Sequence, residues 1–216
     1  MRPITVTVGP LTAGSANNIA LSQTPGAAGN MTINGSLASG GIATLDNARR
    51  VLITTTDTTT TFTIYGTSPT GATQSESFLV VAGASYSALD YKTVTRIAVN
   101  QGTTAAVTVG TNGIASTPWV RFDEWALPQV AIQCDASGTV NYTIQQTLDD
   151  PNSATNPVLP SAVTWVATSD TNGVNATGTI QSNYAYAPTF ARVLLNSSTS
   201  PGFVSATFIQ LGVVPY

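Results

Sequence analysis

The chain has no histidine among its 216 residues, a single cysteine (Cys134) and only 8% charged residues. Histidine is the only side chain whose unperturbed pKa lies near neutral pH, and it is the commonest metal ligand. Its absence excludes most general acid–base schemes, the usual serine and cysteine nucleophile pairs and most zinc sites. The lone Cys134 cannot form an internal disulfide, and we expect it to be a small buried residue. We therefore expect no catalytic residue, no cofactor and no metal site.

Basic residues and long apolar runs are also scarce. Seven lysines and arginines against ten acidic residues give a net charge of −3, which lacks the basic stripe that nucleic-acid binding requires. The longest apolar run, from Phe78 to Ala84, is far shorter than the roughly 20 residues of a membrane-spanning helix. The opening MRPITVTVGP lacks the apolar segment of a signal peptide. We expect no nucleic-acid or membrane partner and synthesis in the cytoplasm.

The residues that are abundant, mainly threonine, alanine, valine, glycine and serine, form short alternating runs. Apolar residues alternate with polar ones in Ile4–Val8, and the segment from Thr93 to Asn100 gives a strong strand pattern. Turn residues interrupt such runs about every 8 to 12 positions, as in β-sandwiches. The sequence therefore predicts an all-β antiparallel sandwich, jelly-roll or immunoglobulin-like. The exception is Asp46–Arg49, which could form one helical turn with Asp46 as its N-cap.

The segment TNGIAST (Thr111 to Thr117), just before the first tryptophan, is a candidate boundary and predicts two β-modules in tandem. The first would span residues 1–112, including an N-terminal extended arm, and the second residues 113–216. The second half resembles the first in outline, which suggests an internal duplication, although sequences of biased composition also align by chance. The duplication would pair Val51 with Val130, Ile53 with Ile132, Ile64 with Ile144 and Arg96 with Arg192.

Two acidic segments are the candidates for chemistry. Asp149-Asp150-Pro151-Asn152 could supply oxygen ligands to calcium, but aspartate and asparagine beside proline are the ordinary residues of a turn. Asp123 and Glu124 are adjacent, so in a strand they point to opposite faces and cannot act together as a glycosidase pair. We interpret the first segment as a turn and assign neither a catalytic role.

Aromatic residues and the apolar C-terminus are the candidates for contact with a partner. Trp119, Trp125 and Trp165, or Tyr184 and Tyr186, could stack on sugars, but aromatic residues more often fill a core or a subunit interface. The last nine residues, FIQLGVVPY, are either a final core strand or a strand added to a neighbouring molecule. The candidate interface residues are Trp119, Trp125, Phe208, Val213, Val214 and Tyr216.

Two stretches, VGPLTAGSANNIALSQTPGAAGNMTINGS (Val8 to Ser36) and VNYTIQQTLDDP (Val140 to Pro151), carry a resemblance to a known family. The chain resembles small structural proteins encoded beside the capsid genes of tailed bacteriophages and prophages. These look like capsid decoration or cement proteins with jelly-roll or immunoglobulin-like sandwiches. The resemblance implies a place on the capsid surface of the virion, synthesis in the host cytoplasm and the major capsid protein as partner, and it brings no catalytic residues.

The leading hypothesis is therefore a non-enzymatic virion protein that binds the capsid lattice as a homo-oligomer, a dimer or trimer, and stabilises the head. One alternative is a head or tail fibre module that binds host glycans through Tyr184, Tyr186 or the tryptophans. Another is a tail or adaptor protein, which would assemble as rings of six or twelve.

Overall fold

The computed structural model describes residues 3–122 and 129–210 and confirms the predicted all-β class, with 60% of the chain in strands and 3% in helix. Over the described residues the helical segments are two single 3-10 turns, Pro160–Ala162 and Thr171–Gly173. No helix in this part of the chain has the length and apolarity needed to cross a membrane.

The chain forms two compact units. One, here called the continuous unit, is Thr12–Gly113; the other, the discontinuous unit, combines Met1–Leu11 with Ile114–Tyr216. The strand Ile4–Val8 thus belongs with the second half of the chain, whereas the sequence predicted an arm on the first module. The reason is its pairing, since all five of its residues lie opposite Val204–Phe208 in antiparallel register.

In the continuous unit, long antiparallel strands enclose an apolar core. Strand β8 lies between β5 and β6, β7 pairs with β6, and β2 pairs with β9. Alternation produces this core: along β6, Phe62 and Ile64 are fully buried while Thr61 and Thr63 beside them are half-exposed. The strands are β2 (Ser15–Gln23), β3 (Gly29–Asn30), β4 (Ala38–Ser39), β5 (Ile42–Thr55), β6 (Thr61–Thr67), β7 (Thr73–Leu79), β8 (Gly83–Val99) and β9 (Val107–Ser116), whose residues from 114 onward belong to the discontinuous unit.

The discontinuous unit is built on one long antiparallel pair, β11 with β14. Strand β1 pairs with the outer side of β14 and β13 with the outer side of β11, which gives the order β1-β14-β11-β13. The register shifts at Gly138, whose φ of 70° and close approach to Gly202 leave no room for a side chain. The strands are β1 (Ile4–Val8), β10 (Val120–Arg121), β11 (Val130–Thr147), β12 (Val166–Ala167), β13 (Ile180–Tyr184) and β14 (Phe190–Gln210).

The expected helical turn at Asp46–Arg49 is wrong, because these residues lie within strand β5. The β5–β8 register is irregular between Thr44 and Arg49. In a regular strand, side chains three residues apart point to opposite faces. The irregularity instead lets Asp46 form an ion pair with Arg49, and it accepts hydrogen bonds from the backbone N–H of Thr12 at 2.7 Å and of Asn47 at 2.8 Å.

The proposed duplication does not match strand for strand. Val51 lies on β5 and Ile64 on β6, whereas their counterparts Val130 and Ile144 lie on the single strand β11. The paired arginines also differ: Arg192 is buried, whereas Arg96 is exposed with its guanidinium 3.6 Å from the centre of the Tyr65 ring.

The threonine-rich segment from Thr54 to Thr61 runs from the end of β5 through a loop to the first residue of β6. Asp57, only 1% exposed, accepts hydrogen bonds from the backbone N–H groups of Thr104 at 2.7 Å, Thr59 at 2.7 Å and Thr60 at 3.0 Å. These bonds hold the pKa of Asp57 well below its usual value. Thr55 and Thr60 are buried as well.

Cys134 is a fully buried core residue, as predicted. Burial raises the pKa of its thiol to about 12. We expect the native thiol not to react with Ellman's reagent at pH 8, because almost no thiolate exists and the sulfur is covered. In concentrated urea one thiol per chain should react. Rapid labelling of the native protein would contradict this placement of Cys134.

Candidate interaction surface

One face of the sheet β1-β14-β11-β13 in the discontinuous unit carries hydroxyl and amide side chains. The register aligns them in two rows. The first row is Thr5, Thr207, Gln133 and Gln181, and the second is Thr7, Ser205 and Asp135. All seven are exposed or half-exposed, and together they are called the polar face below.

Alternation along the strands separates this face from the core. Phe208, Ala206 and Val204 point inward from β14, and Ile132 and Cys134 do so from β11. On the outer side the hydroxyls pair across strands, Thr5 with Thr207 at 2.9 Å and Thr7 with Ser205 at 3.2 Å. Such pairs order the side chains, so the face is a regular and nearly neutral surface. Its one charge is Asp135, which accepts a hydrogen bond from Gln133 at 2.9 Å.

A second feature of the discontinuous unit is a chain of aromatic and arginine contacts, here called the aromatic cluster. Trp119 packs edge-on against Trp165, with ring centres 5.0 Å apart, and against Phe190 at 5.9 Å. The guanidinium of Arg192 lies 4.2 Å from the centre of the Trp165 ring, and its Nε donates to Gln145 at 2.9 Å. Arg192 is 2% exposed, so the cluster buries a cation against an aromatic face.

Arg121 continues this cluster towards the predicted turn. Its guanidinium lies 5.4 Å from the centre of the Phe190 ring, and it binds both oxygens of Asp150 at 3.2 and 3.1 Å. Asp150 also accepts from the backbone N–H of Asn152 at 2.8 Å, which confirms the turn at residues 149–152. That bond, and then Arg121, lower the pKa of Asp150.

The predicted interface residues do not share one environment in the structure. Trp119 is half-buried in the aromatic cluster. Phe208 is 0% exposed and packs edge-on against Phe122 at 5.9 Å, so the described part of the C-terminal segment is a core strand and offers no free apolar surface at this residue. Trp125, Val213, Val214 and Tyr216 lie outside the described residues.

The two tyrosines proposed for glycan stacking differ in their exposure to solvent. Tyr184 is 3% exposed and belongs to the core, so it cannot stack on a sugar. Tyr186 is 49% exposed, and its hydroxyl accepts a hydrogen bond from Gln146 at 2.9 Å. Val166, which pairs with Gln146, is 55% exposed. Tyr186 therefore lies beside an amide and an exposed apolar side chain.

Sequence reasoning missed four members of the aromatic cluster: Phe190, Arg121, Gln145 and Arg192. Arg192 carried one usable signal, because an arginine within the run Phe190–Leu195 interrupts otherwise apolar residues and must find a partner if buried. Its partners Gln145 and Trp165 come from β11 and from the segment before β12. Finding them requires the strand order, which the sequence does not provide.

The described residues bring no three histidine, cysteine or acidic side chains together as a metal site would require. The buried acids serve the fold instead. Glu76, 7% exposed on β7, accepts from the backbone N–H of Ala88 at 3.0 Å and of Leu89 at 3.3 Å. Burial raises the pKa of Glu76 to about 7, with a further contribution from the nearby Asp90.

We expect this carboxyl to make the free energy of unfolding depend on pH. The folded pKa is about 7 and the ordinary value is 4.5, so between these values the folded state holds a proton that the unfolded state has lost. The contribution of Glu76 to the free energy of unfolding is therefore fully present below about pH 4.5. As the pH rises towards 7, the free energy of unfolding falls by about 2–3 kcal/mol. Urea denaturation from pH 4.5 to 8 measures this. Glu76→Gln should flatten the slope in this range, and an unchanged slope would contradict the assignment.

Comparison with known proteins gives no match: no protein family model, curated protein or solved structure is similar to the chain. The functional argument therefore depends on the residues and surfaces described above.

Proposed function

We propose that this chain is a non-enzymatic structural protein of a tailed-phage virion, which binds the major capsid protein lattice and stabilises the head. The observation that carries the proposal is the polar face, an ordered sheet surface with seven hydroxyl, amide and carboxylate side chains and a single charge. Such a face binds through shape and many short hydrogen bonds, because it has little charge to attract a distant ligand.

The distribution of charge supports the same proposal. Several charged side chains are at most 7% exposed: the contacts described above tie Asp57 and Glu76 to backbone N–H groups and Arg192 to an aromatic ring. The buried charged residues are Arg49, Arg192, Asp57, Glu76 and Asp90. With only 8% charged residues in all, the surface has little charge to prevent association. A protein present in many copies on a shell would use such a surface for contact.

A decoration protein acts by adding buried area to each capsid contact. About 1,000 Å² of apolar burial at ~25 cal/mol per Å² is a large gross gain, which the costs of association partly offset. Repeated over the lattice, this gain raises the temperature or pressure at which the shell breaks. Particles that lack the protein should release their DNA at lower temperature than complete particles, and equal release curves would contradict a cement role.

The polar face gives this proposal a residue-level test. Gln133→Lys places a cation in the middle of the face, and Ser77→Lys places one on exposed strand β7 of the continuous unit. We expect Gln133→Lys to weaken binding to undecorated shells at least about tenfold, because a charge must be desolvated in the contact. The Ser77→Lys control should bind as the unchanged protein does. Equal binding by both variants would exclude the polar face.

The second candidate function is glycan binding by a fibre module, which the exposed ring of Tyr186 beside Gln146 favours. Aromatic faces with adjacent amides are suited to sugar rings. Binding to a glycan array that Tyr186→Ala abolishes would support this function over decoration. Absence of array binding, with retained shell binding, would exclude it.

A further inference from the structure

Among the described residues, strand β1 forms an edge of the sheet in the discontinuous unit. Within residues 3–122 and 129–210, β1 pairs with β14 and with no other strand. Proteins normally protect such an edge with a charged residue, a proline or a bulge, because its unpaired N–H and C=O groups accept another strand. Strand β1, Ile4-Thr5-Val6-Thr7-Val8, has none of these, and its pairing with β14 has no register shift.

The side chains of β1 are also incompletely covered. Ile4 and Val6 pack against the core of the discontinuous unit but remain half-exposed, whereas Val8 is buried. Thr5 and Thr7 are exposed at the margin of the polar face. An added strand would therefore cover apolar side chains on the inner side and extend the hydroxyl rows on the outer side.

We propose that this edge binds a second copy of the chain, β1 against β1, in antiparallel register about a two-fold axis centred on Val6. The sequence is self-complementary in that register. Val6 lies opposite Val6 of the second copy, Ile4 opposite its Val8, and Thr5 opposite its Thr7. The half-exposed Val6 side chains meet on the inner side, and hydroxyls meet on the outer side, as they already do where Thr5 pairs with Thr207. Such a contact is isologous and closed, so it stops at the dimer.

This inference deepens the proposed function and rests on it for the role of the dimer. Two copies joined at β1 align the hydroxyl rows of their polar faces into one surface that runs from β13 through β1 to the other β13. The dimer would contact the shell at two symmetry-related places. Once the first contact has formed, the second forms at high effective concentration, which raises the overall affinity for the shell. The dimer itself requires no shell, so its test is separate.

The test uses charge pairs that only the two-fold register brings together. Thr5→Lys/Thr7→Lys places lysine opposite lysine twice across the contact. Thr5→Lys/Thr7→Glu places lysine opposite glutamate twice. Both double variants change the same two exposed positions. Any general effect of substitution at these positions on folding is therefore shared, and a difference in dimerisation between the variants reports the charge pairs. Circular dichroism and thermal melting verify that both are folded.

Analytical ultracentrifugation of the full chain over a range of concentrations measures the result. We expect a reversible monomer–dimer equilibrium for the unchanged protein, a Kd at least about tenfold weaker for the lysine pair, and a dimer retained in the lysine–glutamate variant. Hydrogen exchange gives an independent readout: backbone amides of β1 should exchange more slowly as concentration rises.

Three outcomes would overturn the inference. The unchanged protein could remain a monomer at every concentration, or form a trimer or a larger ring. Alternatively, both double variants could dimerise as tightly as the unchanged protein, which would place the contact elsewhere. Failure of the proposed function gives a different result, because the dimer would form as predicted while undecorated shells bind none of it.

Discussion

Arg49→Met should lower the free energy of unfolding by about 3 kcal/mol, one of the two largest effects we expect. Arg49 is 1% exposed, and its guanidinium donates to the carbonyl oxygen of Thr12 at 2.8 Å and to that of Asn112 at 3.2 Å, besides its ion pair with Asp46. Thr12 is the first residue of the continuous unit and Asn112 is next to the last, so Arg49 ties together the two ends of this unit.

The cost arises because methionine fills the space but cannot donate to the carbonyl oxygens of Thr12 and Asn112 or pair with Asp46. Removing one partner of a buried pair typically costs 3–5 kcal/mol. The lower end applies here because the side chain of Asp46 is 26% exposed and water can partly replace the lost bonds. Burial raises the pKa of Asp46, but the hydrogen bonds from Thr12 and Arg49 outweigh it and hold the pKa below its usual value.

Arg96→Met is the matched control for this experiment. Arg96 lies in the same unit and is exposed, and its contact with the Tyr65 ring should contribute only about 0.5–1 kcal/mol. Urea denaturation of both variants at pH 7 measures the difference. Equal losses in the two arginine variants would contradict the structural role of Arg49.

Phe208→Ala should cost about 3–5 kcal/mol, the second of the two largest effects. The ring is fully buried between β1 and β11 and packs against Phe122, so alanine leaves a cavity that this rigid sheet cannot close. The accessibility of Cys134, which faces the same core, provides a local readout, because its thiol should react at lower urea concentration in the variant.

Ile209→Ala is the control, since Ile209 is the next residue of β14 and is 37% exposed on the outer side. We expect it to change the free energy of unfolding by less than about 1 kcal/mol. A small loss for Phe208→Ala together with weaker shell binding would instead support the idea that Phe208 is an interface residue.

Much of the fold could be predicted because burial follows alternation along single strands. Phe62 and Ile64 of β6, and Ile132 and Cys134 of β11, face the core as the period-two pattern indicates. The pattern failed at Asp46–Arg49, where Asp46 was interpreted as the N-cap of a helical turn. A register irregularity in β5 instead brings Asp46 and Arg49 together within a strand, and a single sequence does not reveal such irregularities.

The candidate surfaces were less predictable because they depend on strand order. Thr5 and Thr207 are 202 residues apart in the sequence, and only the pairing of β1 with β14 brings their hydroxyls together. The aromatic cluster likewise joins Trp119 to Trp165 and Phe190 from separate segments. Composition predicted a contact surface in general, but the topology determines which residues form it.

The most direct test of the proposed function is a titration of undecorated capsid shells with the purified protein, followed by sedimentation. We expect saturable binding at a fixed ratio of this protein to the major capsid protein, and a higher temperature of DNA release for particles that carry it. Shells that sediment without the protein at every concentration would contradict the account.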